Sequence, residues 1–217
     1  MKADMKVELL DSAGGDLSIV NSARVSFAKI AEGVGDKDVK LIKYLAKHQH
    51  MTPFRHNFIQ LRCSVPVFLA RQLMKHQAGL SWNEVSRRYV DSGIEIYAPD
   101  TWRERPDSSI KQGSGDEFTG NANARVKRLY EQHMAESLRF FDNLIAEKVS
   151  PEMARMILPQ SMMVDFIWTG NLLAFAHVYN LRAGEGAQKE AQDFAKLLGE
   201  AIAPEFPVGW LALTGDI

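Results

Sequence analysis

The chain of 217 residues is long enough for one large domain or two small ones, and its 46% apolar and 24% charged residues are typical of a globular protein. The formal net charge of −1 disfavours a general nucleic-acid binder, although a local basic patch stays open. The single cysteine, Cys63, excludes an intramolecular disulfide and a zinc–thiolate site, and it fits a reducing compartment.

No apolar run approaches the length of a membrane span, and the first ten residues lack the apolar core of a signal peptide. We therefore expect a cytoplasmic protein (in the host cytoplasm if the chain is viral), without a membrane partner.

The first third of the chain predicts two strands and two helices. An apolar run at 7–10 favours a strand, and Asp16 is a candidate cap for a helix over 17–23. Helical spacing predicts a helix over 37–47, and strict alternation predicts a half-buried strand over 58–65. Alternation places Cys63 on the apolar face of that strand, where a buried, inert thiol is the default.

Residues 48–56 hold three of the six histidines. Metal binding is one interpretation, but no cysteine or carboxylate lies nearby, so we predict no metal site. Thr52-Pro53 instead indicates a turn. A turn that faces a ligand and a turn with no ligand both stay open on these residues alone.

The segment 71–89 concentrates cations, amides and hydroxyls around one carboxylate. Pro66 suits the first turn of a helix that reaches about Lys75. Residues 81–84 have the spacing of a capping box, and Glu84 and Arg88 have the i, i+4 spacing of a helical salt bridge. The composition of the whole segment indicates a site for a planar anion, of which a nucleotide is the first candidate.

The remaining elements follow from periodicity and punctuation. They are a strand at 94–98, a polar loop at 99–123, a long helix at 124–149, a helix begun by Ser150-Pro151, a strand at 160–168, a helix from a Thr169 cap to Arg182, and a final amphipathic helix at 187–203. The loop is either disordered or functional, such as a lid. The sequence thus predicts an α+β fold, a mixed β-sheet flanked by helices, in a single domain over 1–217 with one long helical element.

The common nucleotide cradles and the serine-hydrolase elbow are absent, since the chain has no G-x-G-x-x-G, P-loop or G-x-S-x-G motif. The residues by themselves therefore indicate nucleotide binding and leave the reaction open.

Five short strings in collinear order resemble the flavin-dependent thymidylate synthases. They are ARVSF at 23–27, HMTPF at 50–54, ARQ at 70–72 with NEVSRRY at 83–89, Arg155 with Leu158-Pro159 and Trp168-Thr169, and NLRA at 180–183 with AQKE at 187–190. The family signature is usually Arg-His-Arg, seven residues and Ser. Here residues 75–77 are Lys-His-Gln, and eight residues separate them from Ser86. The chain also has His177 and Gly186 where the family commonly has Asn and His.

The resemblance implies a homotetramer that binds FAD at subunit interfaces. It implies methylation of dUMP to dTMP, with methylenetetrahydrofolate as one-carbon donor and NADPH as the source of reducing equivalents for the flavin. No enzyme cysteine is needed, which agrees with the predicted place of Cys63.

The resemblance also implies site residues. The expected dUMP contacts are Gln72, Glu84, Val85, Ser86, Arg87, Arg88, Arg155 and Arg182. Arg88 and Arg155 suit the phosphate, and Arg182 suits the uracil edge, where a cation stabilises charge developing on the ring. Arg182 and Ser86 are the catalytic candidates, with Ser86 expected to position dUMP because nothing nearby in sequence activates it. The expected FAD contacts are Ser26, His50, Thr52, Lys75, His76, Gln77, Asn83, Glu84, Asn171 and His177.

Two other classes of function stay open on the sequence. A nucleic-acid-binding module would use 71–88 as its contact surface, but the chain lacks a wider basic face. A nucleotide-binding regulator without turnover is the other alternative. Binding of FAD would distinguish the enzyme from both alternatives.

Overall fold

The computed structural model describes residues 2–107 and 113–215, and it combines helices with one β-sheet, which confirms the α+β prediction. The strands are β1 (Lys6–Ala13), β2 (Phe58–Pro66), β3 (Leu80–Glu84) and β4 (Met163–Gly170). The helices are α1 (Gly15–Arg24), α2 (Asp36–Lys47), α3 (Val67–Leu73), α4 (Gly120–Ala146), α5 (Pro151–Ala154), α6 (Leu172–Arg182), α7 (Lys189–Ile202) and α8 (Pro207–Thr214). Among the described residues, no helix combines the length and apolarity that crossing a bilayer requires.

The four strands form a sheet in the order β1-β2-β4-β3. The sheet is antiparallel, so the prediction of a mixed sheet was wrong. The β2–β4 pair shows the direction: Gln60 bonds Thr169, while Val67 further along the chain bonds Met162. Moving forward on β2 therefore means moving backward on β4.

The alternation predicted for β2 is confirmed. Ile59, Leu61, Cys63 and Val65 are all fully buried, and the residues between them are exposed or half-buried. Burial raises the pKa of the Cys63 thiol well above its ordinary value. The thiol is thus protonated at neutral pH and is not a nucleophile.

The chain divides into two compact units, and the first comprises the described parts of Met1–Met5, Ser64–Gln72 and Glu84–Phe166. Its core is built on Ile96, Met134 and Met162, against which Tyr130 and Leu138 of α4 pack. The Tyr130 hydroxyl donates to the backbone carbonyl of Tyr97 at 2.5 Å. The long predicted helix at 124–149 is confirmed as α4, which starts four residues earlier.

The second unit comprises the described parts of Lys6–Cys63, Leu73–Asn83 and Ile167–Ile217. The Trp168 ring lies at its centre, 5.4 Å from Phe175 and 6.3 Å from Phe194 between ring centroids. These aromatic side chains are all at most 1% exposed, so α6 and α7 share one core with β4.

The ends of α1 and of the chain differ from the predictions. Gly14, not Asp16, is the N-cap of α1. The buried Asp16 carboxylate instead accepts hydrogen bonds from the backbone N–H groups of Val208 and Gly209, each at 2.8 Å. A further helix that the sequence did not predict, α8, begins at Pro207, because proline is tolerated in a first helical turn.

The predicted capping box at 81–84 was wrong, because these residues form β3. Trp82 packs against Trp168 at 5.5 Å between ring centroids, and this tertiary contact overrides the local signal. Glu84 and Arg88 consequently do not share a helix. The strand expected at 94–98 is reduced to single bridges at Ile96.

Other boundaries are close to prediction. Thr169 belongs to β4, and Asn171 caps α6 in its place by accepting from the Ala174 N–H at 3.0 Å. The predicted loop at 99–123 is confirmed up to the start of α4 for the described residues, with one bridge between Arg103 and Glu117. Its segment 108–112 lies outside the described residues.

Candidate functional site

In the second unit, His76 lies between two side chains of α6. Arg182 Nε donates to His76 Nε2 at 3.1 Å, and the His177 ring is 6.1 Å from the His76 ring, edge to face. The acceptor nitrogen must be unprotonated for this bond, so the geometry requires a neutral His76.

The electrostatics agree with that requirement. Burial, followed by the Arg182 charge and then by His177, lowers the pKa of His76 from 6.5 to about 4. A lone histidine in water would be partly protonated near pH 6.5, whereas this one stays neutral. His76 thus acts as a permanent acceptor for Arg182 across the physiological pH range.

The connection from α3 to β3 approaches the start of α6. Gly79 has a φ of +75°, and a Cβ at this position would lie 3.0 Å from the Asn171 amide nitrogen. Only glycine fits both the backbone conformation and the space. The connection therefore makes a close turn against Asn171.

The sequence did not single out Asn57, which joins two of the predicted segments. Its Oδ1 accepts from the Leu172 N–H at 2.7 Å, and its Nδ2 donates to the Phe54 carbonyl at 3.3 Å. Asn57 thus ties the turn after His50 to the helix that carries Arg182. No periodicity marks such a residue, because the bond spans 115 positions.

The other predicted flavin contacts of this unit are on its surface. Ser26 lies in a 3-10 turn at Val25–Phe27, and Thr52 begins another at Thr52–Arg55. The Tyr44 ring stands 6.2 Å from the His50 ring. The exposed members are Ser26, His50, Thr52, Lys75, Gln77 and Asn83. Exposed hydroxyl, amide and ammonium donors suit a large polar cofactor.

In the first unit, Ser86 begins a tight turn directly after β3. Its carbonyl accepts from the N–H groups of Tyr89 and Val90 at 3.0 and 3.1 Å, and its hydroxyl accepts from the Arg88 N–H at 3.3 Å. Within residues 2–107 and 113–215, no titratable side chain bonds the hydroxyl that would have to be activated. The arrangement suits a positioning role for Ser86.

Arg88 reaches a segment that is distant in sequence. Its Nη2 is 3.5 Å from a carboxylate oxygen of Glu152 on α5, and Arg155 follows in the 3-10 segment Arg155–Ile157. Both members of the ion pair are about half exposed, so the pair is weak. A phosphate dianion can displace such a partner. Glu152 was missed because nothing in the sequence pairs it with Arg88.

The remaining predicted dUMP contacts of this unit lie on three segments: Arg87 and Val85 beside the turn, Gln72 on α3 and Glu84 at the end of β3. Arg87 is turned toward the carbonyls of its own loop, while the Val85 N–H donates to the Asp165 carbonyl at 2.8 Å. Burial lowers the pKa of Arg87, and the nearby Asp165 opposes that shift.

The two predicted ligand sets separate between the units. Every predicted flavin contact except Glu84 lies in the second unit, and every predicted dUMP contact except Arg182 lies in the first. The roles of these residues stay predictions. No group of three or more histidine, cysteine or acidic side chains arranged to hold a metal occurs in the part of the chain that the structure describes.

Comparison with known proteins places the chain among named relatives. The family model described as "Thymidylate synthase complementing protein" matches residues 8–208. A flavin-dependent thymidylate synthase of Kosmotoga olearia is 34% identical over 216 residues, covering 97% of this chain and 93% of the relative. One from Thermus thermophilus is 31% identical, covering 95% and 74%.

Solved structures agree. The UMP/dUMP methylase PolB from Streptomyces cacaoi, bound with 5-Br dUMP, superposes with a TM-score of 0.87 at 29% identity, covering 98% of this chain and 96% of that one. The same methylase bound with 5-Br UMP gives a TM-score of 0.86 at 28% identity, with 98% and 95% covered.

Proposed function

Because the chain belongs to the flavin-dependent thymidylate synthase family, we propose that it methylates dUMP to dTMP. Methylenetetrahydrofolate is the one-carbon donor, and NADPH supplies the reducing equivalents. The observation that carries the proposal is the family match across residues 8–208, a range that includes every predicted site residue. The enzyme acts in the cytoplasm.

The described residues fit FAD by the chemistry of their donors. Exposed Lys75 and Gln77 flank the neutral His76, and together they offer a cation, an amide and an imidazole within three residues. Lys75 suits the diphosphate of the cofactor. When bound and reduced by NADPH, the flavin would supply the hydride that completes the methyl group.

Recognition of the dUMP phosphate falls to Arg88 and Arg155. The Arg88 guanidinium is already brought to the segment that carries Arg155 by its ion pair with Glu152. In this proposal the phosphate of dUMP displaces the Glu152 carboxylate from Arg88. Gln72, Glu84 and the Val85–Ser86 backbone and side chains complete the nucleotide contacts, with Ser86 positioning the substrate.

Arg182 is assigned to the uracil edge. A fixed cation there would stabilise negative charge on the uracil ring while the one-carbon unit is attached at carbon five. The bond from Arg182 Nε to His76 holds the guanidinium in one orientation before the substrate arrives. Because His76 is neutral, it places no second positive charge beside the Arg182 guanidinium.

Assembly into a homotetramer is part of the proposal. Exposed apolar side chains support it: in the first unit Leu129 and Phe140 on α4 are 60% and 53% exposed, and Met156 is 74% exposed. Large apolar side chains in such positions are typical of surfaces that associate. We place the FAD sites at the interfaces between copies.

UMP is a second candidate substrate. The observation that favours it is the named activity of the structural neighbour, a UMP/dUMP methylase seen with both 5-bromo nucleotides. Release of the carbon-five hydrogen from dUMP and from UMP, measured side by side, decides between them. A preference for dUMP supports thymidylate synthesis, and a preference for UMP replaces it.

The purified protein should be yellow, bleach with NADPH and rebind FAD after stripping. Arg182→Ala should keep the flavin spectrum and lose dUMP-dependent reoxidation, whereas Lys196→Ala, whose side chain on α7 is 79% exposed, should retain it. A colourless protein that gains no flavin spectrum with added FAD would refute the proposal. Turnover by Arg182→Ala at the wild-type rate would refute the uracil assignment alone.

A further inference from the structure

Arg87 lies between the two side chains assigned to dUMP, Ser86 and Arg88, but its guanidinium turns back onto its own loop. Nη1 donates to the Ser92 carbonyl at 2.6 Å, and Nη2 lies 3.4 Å from the Gly93 carbonyl. A rigid planar fork on two consecutive carbonyls fixes the direction of that backbone, which a single ammonium group does not do.

The loop that Arg87 bridges is anchored to β4 at both ends. The Val85 N–H donates to the Asp165 carbonyl at 2.8 Å, and the Glu95 carbonyl accepts from the Met163 N–H at 2.8 Å. Residues 86–94 thus form a loop whose two ends are bonded to Asp165 and Met163, which lie two positions apart on β4. Arg87 lines a cavity of about 40 Å³ within this closed loop.

The backbone conformation of the loop determines where Ser86 and Arg88, the two residues assigned to dUMP, are placed. The Ser86 hydroxyl accepts from the Arg88 N–H, and the Ser86 carbonyl accepts from two further N–H groups of the turn. Gly93, at a φ of +63°, presents its carbonyl toward Arg87 in a conformation that other residues rarely adopt. Without Arg87, the segment from 88 to 92 has backbone hydrogen bonds only at its start.

We infer that Arg87 is a positioning residue: it clamps the loop 86–94 from inside, so that Ser86 and Arg88 are held in place for dUMP, and it does not itself bind the phosphate. The inference rests on the proposed function for the identity of the nucleotide. It revises the expectation that Arg87 contacts dUMP directly.

The test uses the FAD-loaded enzyme with Arg87→Met and Arg87→Lys, and with Lys196→Met, at an exposed cation of α7, as the control. Both Arg87 variants should raise KM for dUMP about tenfold while kcat changes little, because charge-assisted hydrogen bonds that order the site are lost. In the absence of nucleotide, both should speed amide hydrogen exchange over 88–92. Flavin content and the control variant should match the wild type.

Three results would overturn the inference. A raised KM with unchanged exchange would make Arg87 a direct ligand of dUMP. Wild-type KM in Arg87→Lys would show that charge alone suffices, and wild-type behaviour of both variants would remove any role. A wild-type enzyme that neither binds nor turns over dUMP refutes the proposed function instead, and the exchange measurement then still decides whether Arg87 orders the loop.

Discussion

Replacing His76 with alanine removes the nitrogen that accepts from Arg182 Nε at 3.1 Å. A hydrogen bond that involves a charged group contributes roughly 1.5–3 kcal/mol, and the half-buried position of His76 favours the lower end. A loss of about 1.4 kcal/mol in transition-state stabilisation is tenfold in rate. We therefore expect kcat/KM for dUMP to fall about tenfold.

The assay is dUMP-dependent release of the carbon-five hydrogen, expressed per bound FAD so that loss of cofactor does not imitate loss of orientation. His76→Gln should recover part of the rate, since an amide oxygen can accept from Arg182. His56→Ala, an exposed histidine in the same unit, is the matched control. An unchanged kcat/KM per flavin in His76→Ala would refute the orienting role.

The pH dependence gives a second check. His76 has a pKa of about 4 in the folded chain and binds its proton near 6.5 when unfolded. Between these values the unfolded state holds more protons, so the contribution of His76 to the unfolding free energy falls as the pH drops through this window. Denaturant unfolding of His76→Ala from pH 7 to pH 4 should therefore show a weaker decline than the wild type. An equal decline would contradict the lowered pKa.

Three further outcomes are expected. Asp16→Ala removes two hydrogen bonds of a buried carboxylate, so it should lower the unfolding free energy by about 3 kcal/mol and Tm by roughly 6–12 °C in calorimetry. The exposed control Asp36→Ala should lower the unfolding free energy by under about 1 kcal/mol. Equal effects of the two variants would refute the role of Asp16. Gly79→Ala should lose about 1–2 kcal/mol and weaken FAD binding by displacing Asn171, and unaltered flavin affinity would contradict that contact. Turnover should survive iodoacetamide because burial raises the Cys63 pKa, so inactivation coupled to alkylation would overturn that view.

Residue patterns alone predicted the elements whose burial repeats at regular intervals. The alternating face of β2 and the long helical pattern of α4 are local properties of the chain, and both elements appear where expected. The ordered motifs predicted the family and its function. The identity and spacing of those residues can be read from the sequence, and no knowledge of their contacts is needed. Local signals failed where distant contacts competed with them, as at Trp82 in β3.

Only the folded chain reveals which groups meet. The bond between His76 and Arg182 joins residues 106 positions apart, and Arg88 meets Glu152 across 64 positions. Neither pairing has a sequence signature, because packing of whole elements brings the partners together. The composition of the segment 71–89 thus predicts an anion site, whereas the neutral state of His76 and the inward turn of Arg87 follow from burial and backbone geometry that no local pattern encodes.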